Sequence, residues 1–561
     1  MIIYKEGVGL PWASVVSSSL NWDKKGNFVV RRFKKMISII SVVGILCIFP
    51  ANCKIATQAA SGYYTLTEIE NIGNRIIQWK KDKLGLTGNE SLIEKGLASA
   101  AGTFDSDWLA FAIKRFQSGE NTPDFITSLN TAMISNIKEN KTPTIITDMH
   151  RSILTLAALG QDPRDFKIPE DSRQINLLSE YVYNRTIFAT TDEQVINRLS
   201  WSLIAIDSMQ YEIPQNSVFS RDILIIKILK QQKAVGGFSL MATSKASDPD
   251  ITAMVIQSLA PYYNSDKAYT YERAIDKVTV TKTVRQVVDE SLLKLSTMQT
   301  ATGDYQTYWS GIGSRTVESA AQVALALCRL GIDPQKDLRF IKNGKTLMDG
   351  IMSYSMPDGG FSHEFPTTKS DHMTSAQVMC TMAAISRQMK GMRTLFDLRQ
   401  EQSDTLKSSI SQIVNKITQI SDNTSRAELL AISSLYNSIV DNERMYVYNY
   451  SKLSDALKKS GIVTSSITTN EVSIKDSKIT TSESSLESDI VNSFDATLPE
   501  SSEWESNNES SYVNSNSGID DPDSVNNDKK KNRVITTSLS ILAILIILIT
   551  VVYINKKKGS Q

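Results

Sequence analysis

The chain has 561 residues, of which 41% are hydrophobic and 22% are charged, and its formal net charge is +1. These proportions are ordinary for a globular protein, and the length allows two or three domains or one large domain with tails. No basic stripe with interleaved aromatic residues is present, which argues against nucleic acid as a partner.

The first 60 residues carry a predicted export signal. A basic stretch precedes the apolar run 36–49, and small residues follow it. This order of basic, apolar and small residues is typical of a signal peptide, here over about 31–60. Residues 1–30 do not fit such a leader, so we interpret them as a mis-called start and expect translation to begin near Val29.

Residues 61–400 predict helices, because apolar residues recur there at intervals of three and four. A short motif also repeats within this segment. Gln-x-x-x-Gly-Gly-Phe at 232–238 recurs as Gln-x-x-x-Gly-Asp-Tyr at 299–305, and with Ser in place of Gln at 355–361. A fixed motif at such spacing is the signature of a repeat architecture.

Each copy of the motif is followed by a helix with a polar start, and looser versions of these starts lie upstream. The six polar starts are 105–108, 147–151, 197–201, 248–253, 317–320 and 371–376. Each unit therefore reads as an outer helix, a Gly–aromatic turn and an inner helix. A single helix pair cannot bury both of its faces, so the units must stack. Six of them predict an all-α fold that closes into a ring, an (α/α)6 toroid.

The Gln-x-x-x-Gly-x-aromatic turns resemble the repeats of squalene-type terpene cyclases and of protein prenyltransferase β subunits, which are α/α toroids. The stretches 248–263, 317–334 and 391–399 are similar to exported Gram-positive proteins with prenyltransferase/squalene oxidase repeats. The transcobalamin and intrinsic factor family is a more distant relative with the same toroid. The resemblance implies a fold but no function, because one fold hosts many sites.

Two further segments follow the predicted toroid. Residues 401–460 predict a small helical module, and 406–459 resemble a helical module of bacterial surface proteins, which favours a spacer bundle. Residues 461–533 are rich in Ser, Thr, Asn, Asp and Glu. Such a segment cannot bury enough apolar surface to fold, so it predicts a disordered acidic stalk.

Residues 534–554 form an apolar run of 21 residues, which is long enough to cross a bilayer as a helix. Basic residues flank both sides, so charge alone does not orient the segment. The upstream export signal does so, with the ectodomain outside and the basic tail 555–561 in the cytoplasm. We expect a single-pass protein of the cell membrane with an extracellular ectodomain.

In a toroid the inner helices are roughly parallel, so their N-termini share one mouth, where each offers unpaired N–H groups. Acids at these starts are expected to cap the helices: Asp107, Asp148, Asp250, Glu318 and Asp371. The candidate ligand-binding residues are Asp107, Trp108, Asp148, His150, Trp201, Asp250, Glu318 and His372. Polar groups that converge on an aromatic-lined cavity predict a small-molecule site. Taken singly, each acid is better explained as an N-cap that needs no ligand.

Ligand binding is the preferred interpretation of the function, with a small or bulky hydrophobic ligand at the mouth. The resemblance to cobalamin carriers implies a corrinoid, although those carriers add a β-rich domain that has no counterpart after residue 400. Any ligand would then be only half enclosed. A third interpretation is a rigid platform for other surface proteins or a glycan.

Catalysis is the alternative. The sequence Asp-Pro-Asp-Ile-Thr-Ala at 248–253 resembles the Asp-x-Asp-Asp-Thr-Ala motif of class II terpene cyclases, which implies that Asp250 is a general acid. Ile251 stands where those enzymes have a second acid, which puts the assistance of Asp250 in doubt.

We expect no cofactor and no metal. The only local cluster of possible zinc ligands is His363, Asp371, His372 and Cys380, and Cys380 lies two turns into an apolar helix. Cys328 and Cys380 each sit in an apolar helical run, so both are expected to be buried.

Overall fold

The computed structural model describes residues 62–462 except 118, 140–145, 170–171, 186–194 and 310–311. All of them belong to one compact unit. The predicted signal peptide, almost all of the stalk, the membrane segment 534–554 and the tail lie outside the described residues. None of the helices in the described part is both long enough and apolar enough to cross a bilayer.

The described residues are mostly helical, which confirms the predicted fold class at this level. The α-helices are α1 (Leu66–Lys83), α2 (Phe104–Phe116), α3 (Pro123–Lys138), α4 (Ile146–Ala158), α5 (Ile196–Asp207), α6 (Arg221–Lys230), α7 (Pro249–Leu259), α8 (Val284–Met298), α9 (Val317–Arg329), α10 (Leu347–Met352), α11 (His372–Met389), α12 (Asp404–Thr418), α13 (Arg426–Ser438) and α14 (Tyr450–Lys459). The shorter helical turns are Leu92–Leu97, Ala98–Ala100, Ser179–Tyr183, Ala260–Tyr262, Leu338–Phe340 and Asp441–Tyr446.

Antiparallel two-stranded hairpins interrupt the helices, a feature that the helical prediction for 61–400 did not include. The strand pairs are β1 (Phe166–Ile168) with β2 (Arg173–Ile175), β3 (Ala268–Glu272) with β4 (Thr279–Thr283), and β5 (Thr307–Trp309) with β6 (Ile312–Ser314). In β3 the buried Tyr269 and Tyr271 alternate with exposed residues. Alternation with period two and β-branched residues in the partner strand favour a hairpin here.

Six helices, one from each predicted repeat, pack against one another in sequence. Helices α2, α4, α5, α7, α9 and α11 each contact the next, and α11 contacts α2 in turn. We call these six the core helices. Further helices pack against them, with α6 on α5, α8 on α7, α10 on α9 and α1 on α11. Small buried side chains such as Ala320 and Ala376 let the core helices approach closely.

The Gly–aromatic turns lead into core helices α7, α9 and α11. The aromatic side chains of these turns, Phe238, Tyr305 and Phe361, are buried between the helix ends. In the second turn Gly303 has a φ of +91°, and an added Cβ would lie 2.2 Å from the carbonyl oxygen of Thr346. Thr346 is the N-cap of α10, so the next repeat packs directly on the turn. Glycine is required there both for its backbone angle and for this close approach.

Helices α12 to α14 form a hydrophobic cluster of their own. They are nevertheless attached to the preceding part by specific contacts. Asn264 donates from Nδ2 to the carbonyl oxygens of Arg444 (2.8 Å) and Val447 (3.1 Å). The Glu443 carboxylate accepts from Arg393 at 2.7 Å, and both side chains are buried. The module therefore packs on the preceding helices rather than hanging from them.

Candidate functional site

The N-terminal ends of α7, α9 and α11 bring five side chains together, which we call the Asp250–Glu318 cluster: Asp250, Glu318, Ser319, His363 and Thr374. Oε1 of Glu318 lies 3.0 Å from Nδ1 of His363 and also accepts a hydrogen bond from the Thr374 hydroxyl. Asp250 is close enough to Ser319, Glu318 and His363 for all three to influence its ionisation.

Local sequence explains how Asp250 reaches this position. Asp248 is the N-cap of α7, and its side chain accepts a hydrogen bond from the Ile251 N–H at 3.0 Å. Pro249 follows as the first helical residue, where its missing N–H costs nothing. Asp250 is then placed in the first turn instead of at the cap.

His363 is positioned by the loop that precedes α11. Its carbonyl oxygen accepts a hydrogen bond from the backbone N–H of Val317, the first residue of α9, at 3.3 Å. Phe365 donates its N–H to the carbonyl oxygen of Arg315 at 3.1 Å. This loop is therefore fastened to the start of α9, and the imidazole of His363 faces the Glu318 carboxylate.

Several buried oxygen atoms in the cluster have no hydrogen-bond partner: Oδ1 of Asp250, Oε2 of Glu318 and Oγ of Ser319. Glu318 is only 6% exposed and Ser319 is fully buried. The Ser319 hydroxyl is near enough to Asp250 to oppose the rise in its pKa, but it is not in hydrogen-bond geometry. Buried polar atoms are normally paired, so these three indicate a missing partner.

The repeat pattern makes the Ser319 hydroxyl unusual. Thr252 and Ser375 occupy the matching positions of the neighbouring repeats, and their hydroxyls accept hydrogen bonds from the N–H of Phe238 (2.9 Å) and Phe361 (3.0 Å). Ser319 makes no such bond. In the second repeat the Ser319 hydroxyl therefore does not bond to the turn and belongs to the Asp250–Glu318 cluster.

The protonation states of the cluster follow from burial and charge. Burial raises the pKa of Asp250 to about 8, and the negative charges of Asp248 and Glu318 add to the rise. Asp250 is therefore a neutral carboxylic acid at pH 7. The hydrogen bond to Glu318 raises the pKa of His363 to about 9, so its imidazole is charged. The cluster combines a neutral acid, a carboxylate and an imidazolium.

Five exposed apolar side chains lie in or close to the first turns of core helices, and we call them the apolar rim: Phe104, Leu240, Met241, Phe365 and Met373. Phe104 and Met373 are in the first turns of α2 and α11. The carbonyl oxygen of Leu240 accepts from Ile196, the first residue of α5. A polar cluster beside an apolar rim is suited to a molecule that has a polar head and an apolar body.

Trp108 and Trp201 are brought together and pack against other aromatic side chains of the protein. Their ring centroids are 5.1 Å apart, and Phe396 lies 6.1 Å from Trp108 and 5.7 Å from Trp201. Phe111 stacks on Phe396 at 5.5 Å. Trp108 is only 7% exposed. These rings form an aromatic core, and the sequence had indicated no role for Phe396.

Asp107 and Asp148 both bind Arg151. Asp107 is fully buried, accepts from Nε of Arg151 at 3.1 Å and accepts from the Gly102 N–H at 2.8 Å. Asp148 is 43% exposed and pairs with the same guanidinium. An arginine satisfied by two carboxylates explains both acids as structural residues without a ligand.

The two remaining candidates lie at other helix contacts. His150 is buried, and its Nε2 lies 2.8 Å from the carbonyl oxygen of Tyr181, to which it donates as a neutral ring. Burial, and then the charge of Arg185, lowers its pKa to about 3. His372 lies 3.0 Å from the Lys80 ammonium and 5.0 Å from the Trp79 ring, between α11 and α1. Partial burial lowers its pKa, and Lys80 adds to this effect.

The capping prediction was correct for Asp371 and wrong for three other acids. The Asp371 side chain accepts from the Thr374 N–H at 2.8 Å at the start of α11. Asp107, Asp250 and Glu318 lie inside their helices, because Thr103, Asp248 and Thr316 are the N-cap residues. Because Asp250 and Glu318 do not cap their helices, their side chains can extend towards a neighbouring helix.

In the part of the chain that the structure describes, no three His, Cys, Asp or Glu side chains are placed to hold a metal ion. Cys328 and Cys380 are buried free thiols, as predicted. No family model matches the sequence, and no curated protein matches it. The function of the chain must therefore be argued from its own site.

Proposed function

We propose that the chain is a membrane-anchored cell-surface protein whose core helices form an (α/α)6 toroid. The contact of each core helix with the next, and of α11 with α2, supports a closed ring. The predicted signal peptide over 31–60 and the apolar run 534–554 in the sequence support export and anchoring. In this proposal the N-termini of the core helices surround one mouth, and the Asp250–Glu318 cluster lies in it.

We further propose that the mouth binds a small molecule with a polar head and an apolar body. The observation that carries this proposal is the set of unpaired buried oxygens of Asp250, Glu318 and Ser319. A ligand head would supply the missing hydrogen bonds, and the apolar rim would cover its body. A corrinoid-like ligand would rest mainly on this rim, because Trp108 is buried and both tryptophan rings pack against each other and against Phe396.

Two measurements test ligand binding. Native mass spectrometry of the purified chain is expected to reveal a bound small molecule, and Glu318→Gln should lose it. Incubation with cyanocobalamin followed by desalting tests the corrinoid directly, because retained visible absorbance supports that ligand and its absence removes it. If no small molecule is found by either method, a surface partner replaces the small molecule as the expected binding partner.

A class II terpene cyclase-like activity is the second candidate, and one observation favours it. A general acid has to carry a proton at the working pH, and the raised pKa of Asp250 meets that requirement. Product formation from squalene or a polyprenol is expected to fall above pH 8 and to vanish in Asp250→Asn. Absence of product from the wild-type chain would eliminate this candidate.

A further inference from the structure

We infer that the Asp250–Glu318 cluster recognises a primary ammonium group on an apolar body, and that Asp250 releases its proton when this group binds. This inference rests on the proposed ligand-binding function and names the chemistry of its ligand. The juxtaposition behind it is that of Oδ1 of Asp250, Oε2 of Glu318 and Oγ of Ser319, all buried and without a hydrogen-bond partner.

The unpaired atoms call for a donor. Glu318 is a carboxylate whose other oxygen is already used by His363 and Thr374, and an ionised carboxylate can only accept. A ligand that offered lone pairs would leave Oε2 of Glu318 unpaired and would be repelled by its charge. The Ser319 hydroxyl can accept as well. A primary ammonium brings three N–H donors and a positive charge, which suit Oε2 of Glu318, the Ser319 oxygen and the Asp250 carboxylate once its proton has left.

The charge balance of the cluster favours a cation that displaces a proton. In the free protein His363 and Glu318 cancel each other, and Asp250 is neutral. The charged groups acting on Asp250 are Asp248 on the same helix, Glu318 on α9 and His363 on the loop before α11, while Glu364 and Asp371 act on His363. A bound ammonium stabilises the Asp250 carboxylate, so its proton passes to the solvent as the ion pair forms.

A metal ion fits these atoms less well. Hard cations such as Ca²⁺ take about six to eight oxygen ligands. Three unpaired oxygens are far fewer, and the described residues hold no grouping of three metal-binding side chains. The exposed Leu240, Met241 and Met373 of the apolar rim would also contribute nothing to a bare ion, whereas they can cover an alkyl chain.

Isothermal titration calorimetry on the full-length chain tests the inference with three probes that share a hexyl chain. Hexylammonium has N–H donors and a charge, hexyltrimethylammonium has the charge without a donor, and 1-hexanol has an uncharged hydroxyl that both donates and accepts. Hexylammonium is expected to bind at least about tenfold more tightly than either of the others. Titrations at pH 7 in phosphate and in Tris should show release of roughly one proton per bound ammonium.

Substitutions test which residues are responsible for ammonium binding and proton release. Glu318→Gln should weaken hexylammonium binding by about tenfold or more, and Asp250→Asn should abolish proton release. Glu272→Gln is a matched control, because Glu272 is an exposed carboxylate on β3 and its loss should leave the affinity within about twofold. Thermal melts of each variant separate a loss of binding from a loss of folding.

The possible failures are distinguishable. If all three probes bind equally at a site that requires Glu318, the ammonium inference is overturned and the ligand-binding proposal stands. If hexylammonium binds without proton release, the role given to Asp250 is overturned. If neither cyanocobalamin nor any hexyl probe binds in a manner that depends on Glu318, both the inference and the proposed mouth site are wrong.

Discussion

Nδ1 of His363 lies 3.0 Å from Oε1 of Glu318, which joins the loop before α11 to the first turn of α9. This ion pair predicts an imidazole that titrates near pH 9 instead of near 6.5. NMR titration of the His363 ring protons measures the midpoint, and Glu318→Gln should return it towards 6.5. A wild-type midpoint near 6.5 would show that the pair does not form in solution.

The same pair has a consequence for stability. Because the pKa of His363 is higher in the folded protein than in the unfolded chain, its stabilising contribution is fully present below pH 6.5 and is lost as the pH rises through 9. The free energy of unfolding of His363→Gln should therefore lie furthest below that of the wild type in acid. The two proteins should converge above pH 9 in denaturant titrations.

Asp250→Asn is expected to stabilise the protein at neutral and alkaline pH. The pKa of Asp250 is raised to about 8 by folding, so the wild type loses stability as the pH rises from about 4 to 8. Asparagine has no proton to lose there. A pKa raised from 3.8 to about 8 corresponds to a gain of up to roughly 5 kcal/mol in the free energy of unfolding at pH 8, and the gain should disappear near pH 4. Asp441→Asn, which alters a fully accessible carboxylate, is the control and should show no such trend.

The sequence predicts the repeated turns and helices of this molecule but not the contacts between distant segments. Glycine at a positive φ and an aromatic residue two positions later have a local cause, so the turns at Phe238, Tyr305 and Phe361 were recognisable, as were the helices that follow them. Contacts between distant segments had no such signal. His363 meets Glu318 only because its loop is fastened to α9, and Phe396 reaches Trp108 from beyond the last core helix. The role of Ser319 could not be predicted, because it aligns with Thr252 and Ser375, whose hydroxyls accept hydrogen bonds from the turns.

Gly331→Ala tests the attachment of the C-terminal module. A Cβ at Gly331 would lie 2.1 Å from the Tyr448 ring, and the residue has a φ of +72°. Gly160 begins the same Gly-x-Asp-Pro sequence with a φ of +84°, but an added Cβ there would meet nothing within 4 Å. Both alanines carry a backbone penalty of about 1 kcal/mol, and Gly331→Ala should lose roughly 1–3 kcal/mol more in chemical denaturation. Equal losses in the two variants would mean that Tyr448 does not pack on Gly331.

Asp107→Asn and Asp148→Asn separate a structural acid from a surface acid. Asp107 is fully buried against Arg151, so its loss leaves a buried guanidinium with less compensation and should cost roughly 3–5 kcal/mol. Asp148 contacts the same arginine from a position that is 43% exposed, and its loss should cost less than about 1 kcal/mol. Urea unfolding of both variants measures the difference. A small effect at Asp107 would reopen a ligand-binding role for that residue.

Phe396→Ala distinguishes an aromatic core from a ligand platform. Phe396 lies between 5.5 and 6.1 Å from the rings of Phe111, Trp201 and Trp108, so its removal leaves a cavity and should cost roughly 3–5 kcal/mol in the free energy of unfolding. Phe396→Leu keeps most of the volume and should lose less. Because the Asp250–Glu318 cluster does not contain these rings, any ligand bound there should keep its affinity in Phe396→Leu. A loss of affinity in Phe396→Leu, with melting unchanged, would instead mean that the ligand contacts the aromatic rings.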